Sequence, residues 1–270
     1  MSKLDTLGII AGNGIYPATL AQAARMAGVA KIVAAAFEQE TDPALAKYVD
    51  AIEWLRVGQL GRLIKFFRAH GVRQAIMAGQ IAPKNLFDLR PDLRAVVLLG
   101  KLRIRNAETI FGAIADELAS EGISLLPATT FLEDLLPAPG LVCGPRPGKK
   151  QMPDIEFAFR MAKEICRLDI GQAVVVKKGT VLAVEAFEGT DECIRRGGAL
   201  GKGGATVAKV SKPNQDLRFD VPVIGPRTVQ SAADAGIPLV VVEAGRTLLL
   251  GKEEIVRSCE HFGITLFAAG

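Results

Sequence analysis

Three segments late in the chain combine carboxylates, glycines and lysines, the residue types that hold a divalent cation against a phosphate. They span residues 185–191, 197–204 and 218–228. Carboxylate oxygens bind hard cations, glycines let backbone N–H groups crowd an anion, and lysines supply positive charge. The pattern predicts metal-assisted phosphate chemistry.

Asp220 is the leading carboxylate of this set. It precedes the rigid apolar run Val221-Pro222-Val223, and a carboxylate fixed on stiff apolar backbone is costly without a cation partner. Glu188 and Asp191 lie three residues apart and can converge on one point. The alternatives are that Asp191 caps a helix and that Glu188 is a solvated charge. We predict Asp220, Glu188 and Asp191 as catalytic and metal-binding residues.

The glycine-rich segment 197–204 matches a P-loop in composition only. The spacing G-x-x-x-x-G-K-[ST] is absent, because Gly203 follows Lys202. We expect an anion-binding loop, with a flexible surface loop as the alternative. The candidates for contacts to phosphate oxygens are Lys178, Lys202 and Lys212.

Near the start, the turn Gly12-Asn13-Gly14 follows an apolar run and precedes a helical pattern. The dinucleotide fingerprint requires a third glycine where Pro17 stands, which disfavours a nicotinamide-dependent oxidoreductase. Such a turn at a helix N-terminus still suits a phosphate or a nucleotide edge. A tight turn without a ligand is the alternative.

The order of apolar runs predicts an α/β fold in two domains. Strands and helices alternate through residues 1–135, which indicates a Rossmann-like, mainly parallel sheet with helices on both faces. Four prolines and three glycines in 136–150 predict a linker. We expect 151–270 to be a mixed α/β domain, with a hairpin turning at Lys178-Gly179 and a short helix over 191–197.

Segment 85–105 is both apolar and basic. Such segments lie on membranes or cover lipid chains. The alternative is a helix packed on the core with a solvated basic face.

Composition narrows the class of protein. Of 270 residues, 49% are hydrophobic and 23% charged, with a net charge of +4, which suits an anionic substrate or membrane surface better than nucleic acid. The four cysteines form no C-x-x-C pair, so we expect free thiols. The N-terminus lacks a secretory signal, and we predict a cytoplasmic protein.

Six motifs in order resemble the LpxI type of UDP-2,3-diacylglucosamine pyrophosphatase, from lipid A biosynthesis. They lie at 8–14 followed by Pro17, 57–61, 76–79, 169–176, 186–191 and 218–226. The resemblance implies an N-terminal domain that binds UDP and a C-terminal hydrolase domain. It implies magnesium-dependent attack of water on the α-phosphate, giving UMP and 2,3-diacylglucosamine 1-phosphate (lipid X). The family's catalytic aspartate, in a Phe-Asp-x-Pro motif, maps onto Asp220.

The resemblance completes the predicted site. Predicted substrate-binding residues are Gly12, Asn13, Gly14, Gln59, Gly79, Lys178, Thr190, Lys202 and Lys212. The expected cofactor is Mg²⁺, with Mn²⁺ as a substitute. One departure is Asn106-Ala107-Glu108, where the family usually has Gly-Asp-Asp.

The expected partners are a lipid-linked UDP-sugar and, peripherally, the inner membrane surface. The oligomeric state, monomer or homodimer, stays open. The alternative function is a regulatory protein that binds a nucleotide sugar without catalysis.

Overall fold

The computed structural model describes residues 4–81, 91–104, 107–213 and 215–270. These residues form two compact units. The first contains Met1–Leu132 and Asp216–Asp220, and the second contains Glu133–Gln215 and Val221–Gly270.

The first unit is built on a five-stranded parallel sheet with the strand order β3-β2-β1-β4-β5. This is the order of a doubly wound fold, so the predicted α/β architecture is confirmed. β1 and β2 are continuous apolar runs because both of their faces are buried. The strands are β1 (Thr6–Ala11), β2 (Lys31–Phe37), β3 (Ala51–Leu55), β4 (Gln74–Ala78) and β5 (Ser124–Leu125).

Four α-helices accompany this sheet in the described residues of the first unit. The spacing of apolar residues explains why these segments are helical. In α2, the buried residues repeat at helical spacing: Leu60, Leu63, Ile64 and Phe67. The helices are α1 (Tyr16–Met26), α2 (Leu60–Ala69), α3 (Leu93–Lys101) and α4 (Ala107–Ser120), with a 3₁₀ helix at Pro43–Lys47.

The second unit is a mixed sheet with the order β6-β13-β11-β9-β7-β8. Its three central strands are parallel, and β6, β7 and β8 add antiparallel edges. The strands are β6 (Gly140–Cys143), β7 (Ala173–Lys177), β8 (Thr180–Val184), β9 (Thr206–Lys209), β11 (Leu239–Glu243) and β13 (Thr265–Ala269), and β10 (Val223–Ile224) pairs separately with β12 (Leu248–Leu249). The helices are α5 (Met152–Arg167), α6 (Thr190–Gly201), α7 (Pro226–Asp234) and α8 (Lys252–Phe262).

The segment 136–150, predicted to be a linker, contains strand β6. This strand pairs antiparallel with β13. The prediction of irregular structure throughout 136–150 is therefore wrong for the four residues of β6, Gly140–Cys143. The prolines of the segment flank the strand and none lies within it. The predicted hairpin at Lys178-Gly179 is confirmed.

The apolar and basic segment 85–105 is described only in part, since 82–90 and 105–106 lie outside the described residues. Its described part is mainly α3, in which Ala95 and Leu98 are buried. Among the helices in the described ranges, none is long and apolar enough to span a bilayer.

Candidate active site

The carboxyl ends of β1 and β4 lie side by side in the first unit. The Gly12 N–H donates to the Ala78 carbonyl at 2.8 Å, and the Asn13 N–H donates to the Gln80 carbonyl at 2.8 Å. In a doubly wound sheet, ligands bind at such carboxyl ends, where the strand order reverses. The structure therefore brings the predicted residues Gly12, Asn13 and Gly79 to one edge.

Gly79 must be glycine for two reasons. Its φ is +89°, in the left-handed region, and a Cβ there would lie 2.5 Å from the Asn13 carbonyl oxygen. A Cβ on Gly12 would lie 2.5 Å from the Gln80 carbonyl oxygen. The two glycines thus allow the two strand ends to touch through their backbones.

Asn13 and the predicted residue Gln59 both lie after strands of this sheet and contact charged residues. The Asn13 amide donates to Glu40 Oε2 at 3.1 Å. The Gln59 side-chain oxygen accepts from the Arg56 N–H at 2.9 Å and from Arg62 at 3.2 Å. Carboxyl ends of parallel strands share one edge of a sheet, so this edge carries both amide and charged groups.

Beside the Gly14 turn is a surface pocket of about 270 Å³. It lies between the amino end of α1 and the 3₁₀ helix Pro43–Lys47. Its walls combine apolar and hydroxyl groups, which suits a flat polar ring. The lining residues include Gly14, Pro17, Gln22, Thr41, Leu45 and Tyr48.

The expected anion-binding loop at 197–204 is wrong for most of its length, because α6 continues to Gly201. A Cβ on Gly197 would lie 2.4 Å from Val175 Cβ, and one on Gly198 would lie 2.2 Å from the Ala235 carbonyl oxygen. These glycines are therefore needed for close helix packing. The predicted short helix over 191–197 is likewise too short.

Glu188 and Asp191 each pair with an arginine of the second unit. Glu188 Oε1 lies 2.5 Å from Arg196, and hydrogen bonds from its own backbone N–H and from Arg196 lower the pKa of the Glu188 carboxyl. Asp191 lies 2.7 Å from Arg227 and accepts from the Ser231 hydroxyl at 3.1 Å. Asp191 is in the first turn of α6, where a carboxylate also stabilises the helix dipole.

The remaining predicted residues of the second unit lie at separate places. In the hairpin turn, the backbone N–H of Lys178 donates to the carboxylate of Asp154 in α5 at 2.8 Å. Lys202 ends α6 in the left-handed conformation, and Lys212 pairs with Asp169. The Thr190 hydroxyl donates to Glu185 at 2.8 Å. Among the described residues, none of these contacts is shared by any two of the three lysines.

Asp220 differs from the other two candidate carboxylates. It is half-buried, and its backbone N–H donates to the Asp216 carbonyl at 3.0 Å. Among the described residues, no hydrogen bond or ion pair occupies its carboxylate. The group is therefore available to accept a proton or bind a cation.

The metal site predicted from the sequence has no preformed counterpart in the described part of the chain. No group of three or more His, Cys, Asp or Glu side chains is placed there to hold a metal ion. Glu188 and Asp191 have arginine partners, which a metal ion would have to replace in order to bind either carboxylate. Their predicted metal-binding role stays a prediction.

Two family models cover nearly the whole chain. The LpxI N-terminal domain matches residues 6–135, and the LpxI C-terminal domain matches residues 138–267. The chain belongs to the LpxI family.

A curated relative supports this assignment. The UDP-2,3-diacylglucosamine pyrophosphatase LpxI of Caulobacter vibrioides is 35% identical over 269 residues, which cover 96% of this chain and 95% of that protein. The LpxI resemblance expected from the six motifs is thereby confirmed.

Two solved structures show a distant similarity. The biotin carboxylase domain of the Hydrogenobacter thermophilus 2-oxoglutarate carboxylase is 15% identical over 67% of this chain and 36% of that one, with a TM-score of 0.28. The biotin carboxylase subunit of a pyruvate carboxylase is 14% identical over 67% of this chain and 35% of that one, also with a TM-score of 0.28. Neither similarity is high enough to support an argument about this LpxI chain.

The family match and the spatial units differ at residues 133–135, beside the domain boundary, and at Asp216–Asp220. Asp216–Asp220 falls within the matched LpxI C-terminal domain, yet it belongs to the first spatial unit. Asp220, predicted from the sequence to be catalytic, therefore lies among residues of the N-terminal half.

A buried polar network of this LpxI chain was not predicted from the sequence. Glu243 accepts from Lys163 at 2.9 Å and from the Ser211 hydroxyl at 2.7 Å. Burial opposes ionisation of Glu243, but the bonds from Ser211 and Lys163 outweigh it and lower the pKa of the carboxyl. Because Lys163 and Glu243 are 80 residues apart, no local sequence pattern predicts that they form a pair.

Proposed function

We propose that this protein hydrolyses the pyrophosphate bond of UDP-2,3-diacylglucosamine, giving UMP and 2,3-diacylglucosamine 1-phosphate, in lipid A biosynthesis. The observation that carries the proposal is the 35% identity to a curated UDP-2,3-diacylglucosamine pyrophosphatase along almost the full length of both chains. Water is the second substrate and attacks the α-phosphorus. The choice of phosphorus rests on the family resemblance.

The uridine end of the substrate is assigned to the first unit. Its doubly wound sheet, the backbone contact between Gly12 and Gly79, and the pocket beside Gly14 support this. The N-terminus of α1, which follows the turn Gly12–Gly14, carries a partial positive charge that suits phosphate oxygens.

Asp220 is assigned as the general base. Its carboxylate accepts no hydrogen bond from the described residues, so it can accept the proton of the attacking water. The backbone N–H of Asp220 is hydrogen-bonded to the Asp216 carbonyl, which limits where that carboxylate can lie and so lowers the entropic cost of the reaction. Glu188 and Asp191 would take part in catalysis only after their ion pairs with Arg196 and Arg227 separate.

We also propose dependence on a divalent cation, Mg²⁺ or Mn²⁺, as the resemblance implies. When bound, such an ion neutralises the pyrophosphate charge and polarises the P–O bonds. Asp220 suits an oxygen-ligated cation by its chemistry. The other protein ligands are not assigned.

Peripheral contact with an anionic bilayer is proposed through α3 and the residues that follow it. Leu93, Val97 and Ile104 are 80%, 51% and 66% exposed, and Lys101 and Arg103 are exposed beside them. Apolar side chains flanked by basic ones are typical of helices that lie on anionic membranes. The acyl chains of the proposed substrate would be held in that same layer.

The test is hydrolysis of the purified substrate in ¹⁸O-labelled water, with mass analysis of both products. Release of UMP carrying the label supports the proposal. Label in the lipid phosphate would move the attack to the β-phosphorus. Binding of the UDP-sugar without turnover, with or without Mg²⁺, would instead support a regulatory protein.

A further inference from the structure

Asp220 ends a five-residue segment, Asp216–Asp220, which we call the strap. The residues on either side of the strap belong to the second unit, whereas the strap itself belongs to the first. The chain thus places one short piece of its C-terminal half within the fold of its N-terminal half. The contacts that hold the strap decide where Asp220 lies.

The first contact is aromatic. The ring of Phe219 stacks on that of Phe111 in α4, with centroids 5.6 Å apart and planes inclined by 29°. Both rings pack against the core of the first unit, which includes Leu118 and Ile123. An offset aromatic pair of this kind adds stabilisation beyond its buried area. Phe219 is the residue directly before Asp220, so this stack anchors the backbone from which the carboxylate projects.

The second contact is a hydrogen-bond relay through Ala128. The Ala128 N–H donates to the Leu217 carbonyl at 2.7 Å, and the Ala128 carbonyl accepts from the Tyr16 hydroxyl at 2.5 Å. Tyr16 is 6% exposed, and burial raises the pKa of its hydroxyl, which therefore keeps its proton. Tyr16 stands two residues after Gly14, so the relay joins the candidate nucleotide turn to the strap.

The strap is also stiffened internally. The Asp216 carboxylate accepts from Arg218 Nε at 2.9 Å and from its terminal nitrogen at 2.6 Å. The N–H groups of Phe219 and Asp220 both donate to the Asp216 carbonyl, at 3.2 Å and 3.0 Å. A two-pronged arginine pair fixes direction as well as distance. The strap therefore moves as one piece, and its attachment to the first unit sets the position of Asp220.

We propose that Tyr16, Phe111 and Phe219 are positioning residues for Asp220, so that the N-terminal half of the chain places the catalytic carboxylate of the C-terminal half. The inference rests on the proposed function, in which Asp220 is the general base. It explains why the segment lies with the first unit although the family match assigns it to the second domain. The nucleotide site and the base are thereby built on one framework.

The expected effect is on turnover. Displacement of a reacting group by about 1 Å can cost about a hundredfold in rate. Phe219→Ala and Phe111→Ala should therefore lower kcat about ten- to a hundredfold, and Tyr16→Phe should lower it less, because only the hydroxyl is lost. KM should change little, since none of the three is assigned to the substrate.

The experiment measures kcat and KM for each variant of the full chain in two backgrounds, the parent and Asp220→Ala. A residue that acts through Asp220 cannot lower the residual rate once that carboxylate is gone. Phe66→Ala is the matched control, because Phe66 also packs against the core of the first unit, while its ring contacts among the described residues are with Phe67 and His70 and not with Phe219. Phe219→Leu and Phe111→Leu keep apolar volume and serve if an alanine variant does not fold, as judged by thermal melting.

Loss of kcat in the parent background and no further loss in the Asp220→Ala background would support the inference. An equal loss in both backgrounds, or a kcat no lower than that of Phe66→Ala, would overturn it while leaving the role of Asp220 intact. Full activity of Asp220→Ala alone would overturn the assigned base, and the positioning role with it.

Discussion

Gly12 and Gly79 meet backbone to backbone: a Cβ added to Gly79 would lie 2.9 Å from the carbonyl carbon of Gly12, and one added to Gly12 would lie 2.7 Å from the carbonyl carbon of Gly79. The contact joins the carboxyl ends of two neighbouring parallel strands, β1 and β4. No side chain can be inserted there without moving one strand end.

Gly79→Ala should destabilise the protein and weaken UDP binding. Gly28 provides the matched control, because its φ is also +89° but nothing lies within 4 Å of a Cβ there. Gly28→Ala should cost about 1–2 kcal/mol from backbone strain alone, and Gly79→Ala should cost more. Urea unfolding and calorimetric titration with UDP measure the two effects. Equal losses at both positions would show that the close approach has no energetic role.

Gly197→Ala should destabilise the protein although it lies inside a helix. Alanine is favoured over glycine there by about 1 kcal/mol, but its Cβ would lie 2.4 Å from Val175 Cβ. Overpacking of this kind costs about 1–3 kcal/mol. Gly112→Ala in α4, with nothing within 4 Å, should be stabilising instead. Denaturant midpoints of the two variants should therefore move in opposite directions.

Glu243 should make stability fall in acid. Its folded pKa is lowered, so the unfolded chain binds more protons as pH falls past the unfolded value of about 4.3. The stabilisation of the fold by the ionised Glu243 carboxylate is complete above that pH and is lost as the pH falls through the folded pKa.

Glu243→Gln should lower the free energy of unfolding by about 3 kcal/mol at neutral pH, since it leaves the Lys163 cation without its carboxylate partner. It should also weaken the loss of stability between neutral and acidic pH. Urea unfolding from pH 7 to pH 3 tests both effects. Glu164→Gln breaks an exposed pair with Arg167 and should cost less than about 0.5 kcal/mol. An unchanged loss of stability in acid in Glu243→Gln would contradict the assignment.

Excess EDTA should abolish hydrolysis of the UDP-sugar, and Mg²⁺ or Mn²⁺ should restore it, because oxygen ligands and phosphates bind hard cations. Initial rates of UMP release at graded free Mg²⁺ give the dependence. A thermal melt with and without EDTA is the control for loss of folding. Full turnover in chelator would exclude the proposed cation requirement.

Leu93→Gln combined with Val97→Gln should weaken binding to vesicles that contain phosphatidylglycerol, because the exposed apolar face of α3 is lost. Sedimentation with vesicles measures binding, and pure phosphatidylcholine vesicles test the contribution of charge. Met26→Gln is the control, as Met26 is 89% exposed elsewhere in the same unit. Equal binding by all three proteins would remove α3 as the contact.

The order of the strands and helices followed from the sequence because their signals are local. The continuous apolar run at Lys31–Phe37 and the helical spacing in α2 report burial directly. The glycine turn after β1 and the family motifs around Asp220 could also be identified from the sequence, because the residues of a motif lie next to one another in the chain.

Tertiary structure decided which groups the glycines and carboxylates contact. Gly197 and Gly198 suggested a loop, but their role depends on Val175 and Ala235, which are distant in sequence. Glu188 and Asp191 suggested metal ligands, and their arginine partners are set by the fold of α6 and α7. Where Asp220 lies depends on Phe111 and Ala128, more than ninety residues earlier. Contacts between such remote positions leave no local pattern, because they form only when the chain packs.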